Sequence, residues 1–134
     1  MSDFLIGFEF EFGWLPSSFP MKKPKSMATY FEKNIYPEVK SILDTEFPDI
    51  SLEIKEDCTL KFLSSKEVNH GLKYWQTYYG VEVVTLPMSE KEAISFLHKF
   101  LNWLQNQNNI QVNKTCSLHL NINFQSPKTN HKID

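Results

Sequence analysis

Residues 4–14 read Phe4-Leu5-Ile6-Gly7-Phe8-Glu9-Phe10-Glu11-Phe12-Gly13-Trp14, and their alternation decides the fold. At the strand period of two, Phe4, Ile6, Phe8, Phe10, Phe12 and Trp14 share one face, while Leu5, Gly7, Glu9, Glu11 and Gly13 share the other. Removing one such side chain from water is worth about 1.5 to 3 kcal/mol, so a face this long belongs to the core and anchors the strand there. Glu9 and Glu11 then stand one pleat apart on the second face. Like charges at that spacing repel unless a cation or a basic group lies between them, and the nearest lysine in the chain is Lys22. A divalent metal is the economical explanation; the plainer one is a strand with one wet, charged side.

The composition sets the limits around that strand. At 134 residues the chain is expected to form one domain, residues 1–134, with eleven Phe, three Trp and five Tyr to fill its core. The formal charge is −2, and all fourteen basic residues are lysine. Arginine is the usual bidentate reader of phosphate and guanine, so its absence, with no basic patch, argues against nucleic acid as a partner. The same Lys-, Asn- and Phe-rich usage is what an A/T-rich coding sequence produces, as in many phages and some bacteria. No apolar run approaches the roughly 18 residues that a membrane span needs, so no membrane partner is expected. Cys58 and Cys116 fit no C-x-x-C spacing, and the N-terminal run has no basic leader segment, which points to a reducing, cytoplasmic location.

Further along, Pro16, Pro20 and Pro24 with Lys22, Lys23 and Lys25 predict an extended loop of the kind that often forms a lid or binding segment. Ser26 caps a predicted helix through Phe31, Ile35, Val39, Ile42 and Leu43, with Pro37 kinking or restarting it. Leu52 and Ile54 alternate with Glu53 and Lys55 in a predicted half-buried strand from Ser51 to Asp57, and a short strand is expected from Thr59 to Leu63. Residues 66–79 show no clean period and are read as irregular or partly helical. A β-branched strand follows from Gly80 to Leu86, stopped by Pro87. Ser89-Glu90-Lys91-Glu92 is a capping box that opens a helix burying Ala93, Phe96, Leu97, Phe100, Leu101 and Leu104. The last predicted strand runs from Thr115 to Phe124, with Cys116, Leu118, Leu120, Ile122 and Phe124 facing the core and Ser117, His119, Asn121 and Asn123 facing away, before a polar tail from Gln125.

Strands far apart in sequence thus share one design: an apolar face to pack under helices and a second face bearing metal-type or hydrogen-bonding groups. Glu9 and Glu11, then Glu82, then His119, Asn121 and Asn123 would meet on that second face, with Asp57 at the end of its own strand. Carboxylates with one imidazole suit Mg²⁺ or Mn²⁺, and the thiolate set of a structural zinc is missing. Taken singly, His119 reads first as a hydrogen-bonded sheet residue rather than a ligand, and Glu82 is open to the same reading.

The order Gly7-Phe8-Glu9-Phe10-Glu11, Asp57-Cys58-Thr59-Leu60, Gly80-Val81-Glu82-Val83-Val84-Thr85-Leu86-Pro87, a helix, and Cys116-Ser117-Leu118-His119-Leu120-Asn121-Ile122 resembles the amidoligase family of glutamine synthetase-like carboxylate-amine ligases. The family's pattern is G-x-E-x-E, D-x-S-L, G-x-E followed by two hydrophobic residues and S-P-P, then C-G-L-H-V-H. The resemblance implies an α+β fold, a curved antiparallel half-barrel with two main helices on its convex face, equivalent to the N-terminal half of the family fold. It implies Glu9, Glu11 and Glu82 as catalytic residues, the same three with His119 as metal ligands, and Asp57, Asn121 and Asn123 near the cofactor. The implied reaction uses Mg or Mn and ATP: a carboxylate is phosphorylated to an acyl phosphate, and an amine displaces the phosphate to give an amide. Small carboxylates and amines, or a peptide, would be the substrates, and a homo-oligomer or a second chain would complete the fold. Asn121 stands where the pattern has its second histidine, Ser117 where it has glycine, and the phosphate-binding arginines have no counterpart. The alternative is therefore a non-catalytic binding or structural protein derived from the same fold.

Overall fold

The computed structural model describes residues 4–60, 75 and 77–124. Within them the fold is α+β, an open antiparallel sheet of five strands with its helices packed into one core. The strands are β1 (Phe4–Trp14), β2 (Leu52–Glu56), β3 (Tyr79–Thr85), β4 (Ile110–Gln111) and β5 (Leu118–Phe124). β1 is central: β3 pairs with it on one side, and β4 and β5 pair with successive parts of its other side. β2 closes the sheet beyond β3. The Thr59 to Leu63 strand is not formed at Cys58-Thr59-Leu60, which makes a turn, and its remainder, most of the irregular stretch before Tyr79, and the tail from residue 125 lie outside the described residues.

The aromatic face of β1 behaves as its alternation demands. Phe8, Phe10, Phe12 and Trp14 are buried with Val81 and Val83 of β3 and Ile54 of β2. Helix α3 (Glu90–Gln105) lies on this face, with the Phe100 ring stacked 4.1 Å from that of Phe10 and Phe96 placed against both Phe8 and Phe10. The Ser89–Glu92 capping box opens the helix as predicted. Its buried stripe is Ala93, Phe96, Phe100 and Trp103, whereas Leu101 is exposed. At 100° per residue Leu101 is rotated off the stripe that Phe96 and Phe100 define, and Trp103 falls on it.

The first helical region begins at Ser26, whose hydroxyl accepts from the Thr29 N–H at 3.1 Å. It consists of α1 (Met27–Tyr30), a π-helical turn (Phe31–Ile35) and α2 (Tyr36–Glu46). Pro37 supplies no N–H and its ring crowds the carbonyl four residues back. The chain absorbs this by widening one turn, so that the Tyr36 N–H bonds to the Phe31 carbonyl, and the helix is redirected rather than ended. The proline loop before it is tied down, because Glu38 accepts from the N–H and hydroxyl of Ser17 and the Trp75 N–H bonds to Pro20 O at 2.7 Å.

Two expectations for the last strand are corrected. It starts at Leu118, because Asn113 Oδ1 accepts from Thr115 N and the Asn113 carbonyl from Cys116 N, which folds 113–116 into a turn. Its apolar side chains are also not packed under a helix: Leu118, Leu120 and Ile122 are 48%, 52% and 52% exposed. Helix α3 covers β1, and β5 lies beyond its reach.

Candidate functional site

The predicted polar residues share one face of the sheet. Pairing sets Glu11 opposite Glu82, Glu9 opposite His119, Gly7 opposite Asn121, and Lys55 of β2 opposite Glu82. Because cross-strand partners project to the same side, β1, β2, β3 and β5 all contribute to a single polar patch. Helices occupy the other face. His119 and Asn121 are exposed, while Glu9 and Glu82 are partly buried.

Glu9 is the hub. Its Oε2 accepts from Asn121 Nδ2 at 2.9 Å, and its Oε1 lies 4.0 Å from His119 Nδ1. The Asn121 amide, followed by a hydrogen bond from Glu82, holds the Glu9 carboxyl below the ordinary carboxylate range. Burial, then the hydrogen bond and the charge of Glu9, push Glu82 the other way, with Asp57 adding to the rise. The two neighbouring carboxyls are thus pushed in opposite directions, Glu9 toward its charged form and Glu82 toward its protonated one.

Glu11 looks elsewhere. Its Oε1 accepts from both Ser117 N and Ser117 Oγ, at 2.9 and 2.8 Å, and Ser117 Oγ also lies 2.9 Å from His119 Nε2. Glu11 thus joins the patch through Ser117. Asp57 accepts from Thr59 N at 3.0 Å in a local turn and remains close enough to act on Glu82. Asn123 sits opposite Leu5, at the far end of the patch from Glu82. Sequence reasoning missed Ser117 and Lys55. The charge of Lys55 favours the ionised form of both Glu9 and Glu82, so the carboxylates have a basic neighbour that distance along the chain concealed. Period-two alternation of Lys55 with Ile54 was the available signal for its face.

Among the described residues, no group of three or more His, Cys, Asp or Glu side chains is arranged so that it could hold a metal ion. Mg²⁺ keeps several of its waters and is commonly held through only one or two carboxylates plus substrate phosphates. Among the described residues, no helix is long and apolar enough to cross a membrane. Comparison with protein-family models, with curated proteins and with solved structures found no match for the chain.

Proposed function

We propose that this chain is an amidoligase-like domain, the first half of a curved glutamine synthetase-like barrel, and that the polar face around Glu9 and Glu82 is its cation and nucleotide site. The observation that carries the reading is the Glu9–Glu82 pair: two carboxyls on adjacent strands and on the open side of an apolar-backed sheet, one of which, Glu82, is moved toward its protonated form by burial and by Glu9. Crowded acids of this kind gain when a divalent cation replaces that proton. Glu9 and Glu82 would hold the cation, and when bound it would neutralise phosphate charge during transfer of a phosphoryl group from ATP to a carboxylate. Asn121 keeps Glu9 ionised and oriented, and the Lys55 charge favours ionisation of both acids. An amine then displaces phosphate from the acyl phosphate to leave an amide.

Ser117 favours a second reading. It saturates one oxygen of Glu11 with two hydrogen bonds, and the chain has no arginine to clamp phosphate. Both fit a non-catalytic descendant that binds a cation without turning over ATP. Calorimetry with Mg²⁺ and Mn²⁺, alone and with ATP, separates the readings. The ligase half binds ATP only in the presence of the metal, and Glu82→Gln loses both heats; metal binding without ATP binding supports the descendant. Absence of any heat at millimolar metal would sink both.

A further inference from the structure

Among the described residues the sheet ends at β2 on one side and at β5 on the other, and these two edges are built differently. In an antiparallel pair a residue directs its N–H and C=O to the same side, and successive residues alternate sides. Glu11 N bonds to Ser117 O, so the odd residues of β5 face β1 and the backbone groups of Leu118, Leu120 and Ile122 face outward. At the opposite edge, Asp57 N bonds to Gly80 O, and by the same alternation Leu52, Ile54 and Glu56 of β2 face outward.

The β2 edge carries Glu53, Lys55 and Glu56 in five residues, the charged protection that edge strands ordinarily use against pairing with another chain. The sequence of β5, Leu118-His119-Leu120-Asn121-Ile122-Asn123-Phe124, contains no lysine, aspartate, glutamate or proline. Its apolar stripe adds to this, since Leu118, Leu120 and Ile122 share the face of their partners Phe10, Phe8 and Ile6 and extend the core row past the cover of α3.

We infer that β5 is a pairing edge for a second copy of this chain, joined antiparallel about a two-fold axis at Asn121. The occupant follows from self-complementarity. Outward backbone groups sit only on even residues, so even residues must face even residues; of the registers this allows, the two-fold at Asn121, the midpoint of Leu118–Phe124, pairs the whole strand and places Leu120 beside the partner's Ile122 and His119 beside the partner's Asn123. Apolar side chains then meet apolar ones, and no carboxylate or lysine of one strand meets its like on the other. The aliphatic stripes of both copies lie side by side between the two α3 helices. On the opposite face the two polar patches become continuous, and each His119 gains a partner amide beside it.

Sedimentation of the intact chain over a concentration series tests the register. The wild type is expected at twice the monomer mass, and Leu120→Lys and Ile122→Glu, each adding a charge at an exposed position, are expected as folded monomers by circular dichroism. Mixing the two variants is expected to restore a dimer, because the ammonium introduced on one chain then faces the carboxylate introduced on the other. A wild type that stays monomeric at millimolar concentration, a Leu120→Lys variant that still dimerises, or a mixture that fails to associate would each overturn the assignment.

Discussion

Gly80 and Glu82 lie two positions apart on β3 and are constrained by unrelated physics. A Cβ on Gly80 would sit 2.1 Å from the Asp57 carbonyl oxygen, because β2 ends by donating Asp57 N to Gly80 O. Gly80→Ala must displace backbone, and a loss of about 1 to 3 kcal/mol is expected in denaturant unfolding. Thr85 is a third case. Its buried hydroxyl accepts from Phe8 N at 2.9 Å, filling a place where the strand pairing is interrupted before Pro87. Thr85→Val should cost about 1 to 3 kcal/mol by leaving that N–H unpaired in the core. Glu82 responds to pH instead. Its folded form holds its proton more tightly than the unfolded chain does, so its contribution is complete below the ordinary carboxylate range and is lost as pH rises through the raised value. Glu9, shifted down, contributes above the ordinary range and loses that contribution as pH falls through its lowered value. Glu82→Gln keeps a donor toward Glu9 and removes the first loss. The Tm of this variant should gain on wild type as pH rises above the ordinary carboxylate range; a difference that stays constant with pH would show that Glu82 does not titrate differently on folding.

β1 and β5 show how far alternation can be read. Both have a strict period of two, and in both the predicted polar face is the one that carries the candidate site. Their apolar faces diverge. Phe10 is buried and stacked on Phe100, while Leu120, its near neighbour across the sheet, is half exposed. A strand's own sequence states which side chains share a face; whether a helix covers that face depends on where the helix lies, which is a long-range fact. Phe10→Ala is accordingly expected to cost about 3 to 5 kcal/mol. Leu120→Ala in dilute protein should stay within about 0.5 kcal/mol of wild type. Equal losses in the two variants, read from denaturant midpoints, would mean that β5 is covered after all. Pro37 shows the same limit within a helix: the disturbance was legible, and its form as a single widened turn was not, because the burial of Phe31 and Ile35 before Pro37 and of Val39 and Leu43 after it holds the helix together.

For the whole molecule, the central place of β1 assembles the site and also orders the stability of the parts. Glu9, Glu82, Lys55 and Asn121 come from four strands, and only the register between them makes them neighbours. The sequence carries each residue's face but not that register, which is why the polar patch could be foreseen while the tie of Glu11 to Ser117 and the approach of Lys55 could not. The same topology ranks local opening. β3 lies between β1 and β2 with Val81 and Val83 fully buried, so freeing it requires breaking two ladders and opening the core. Among the described residues β5 is held by one ladder, and its Leu118, Leu120 and Ile122 are exposed. Segments with few buried contacts open well below the global unfolding free energy. In dilute protein, native-state hydrogen exchange should therefore release the amides that bond β5 to β1, at His119 and Asn121, before those that bond β1 to β3, at Phe10 and Val83. Since Asn121 holds Glu9 in its charged form, each opening of β5 would dismantle the patch while leaving the core folded. If His119 and Asn121 instead exchange together with Phe10, β5 belongs to the same cooperative unit as the core, and the site is as stable as the fold.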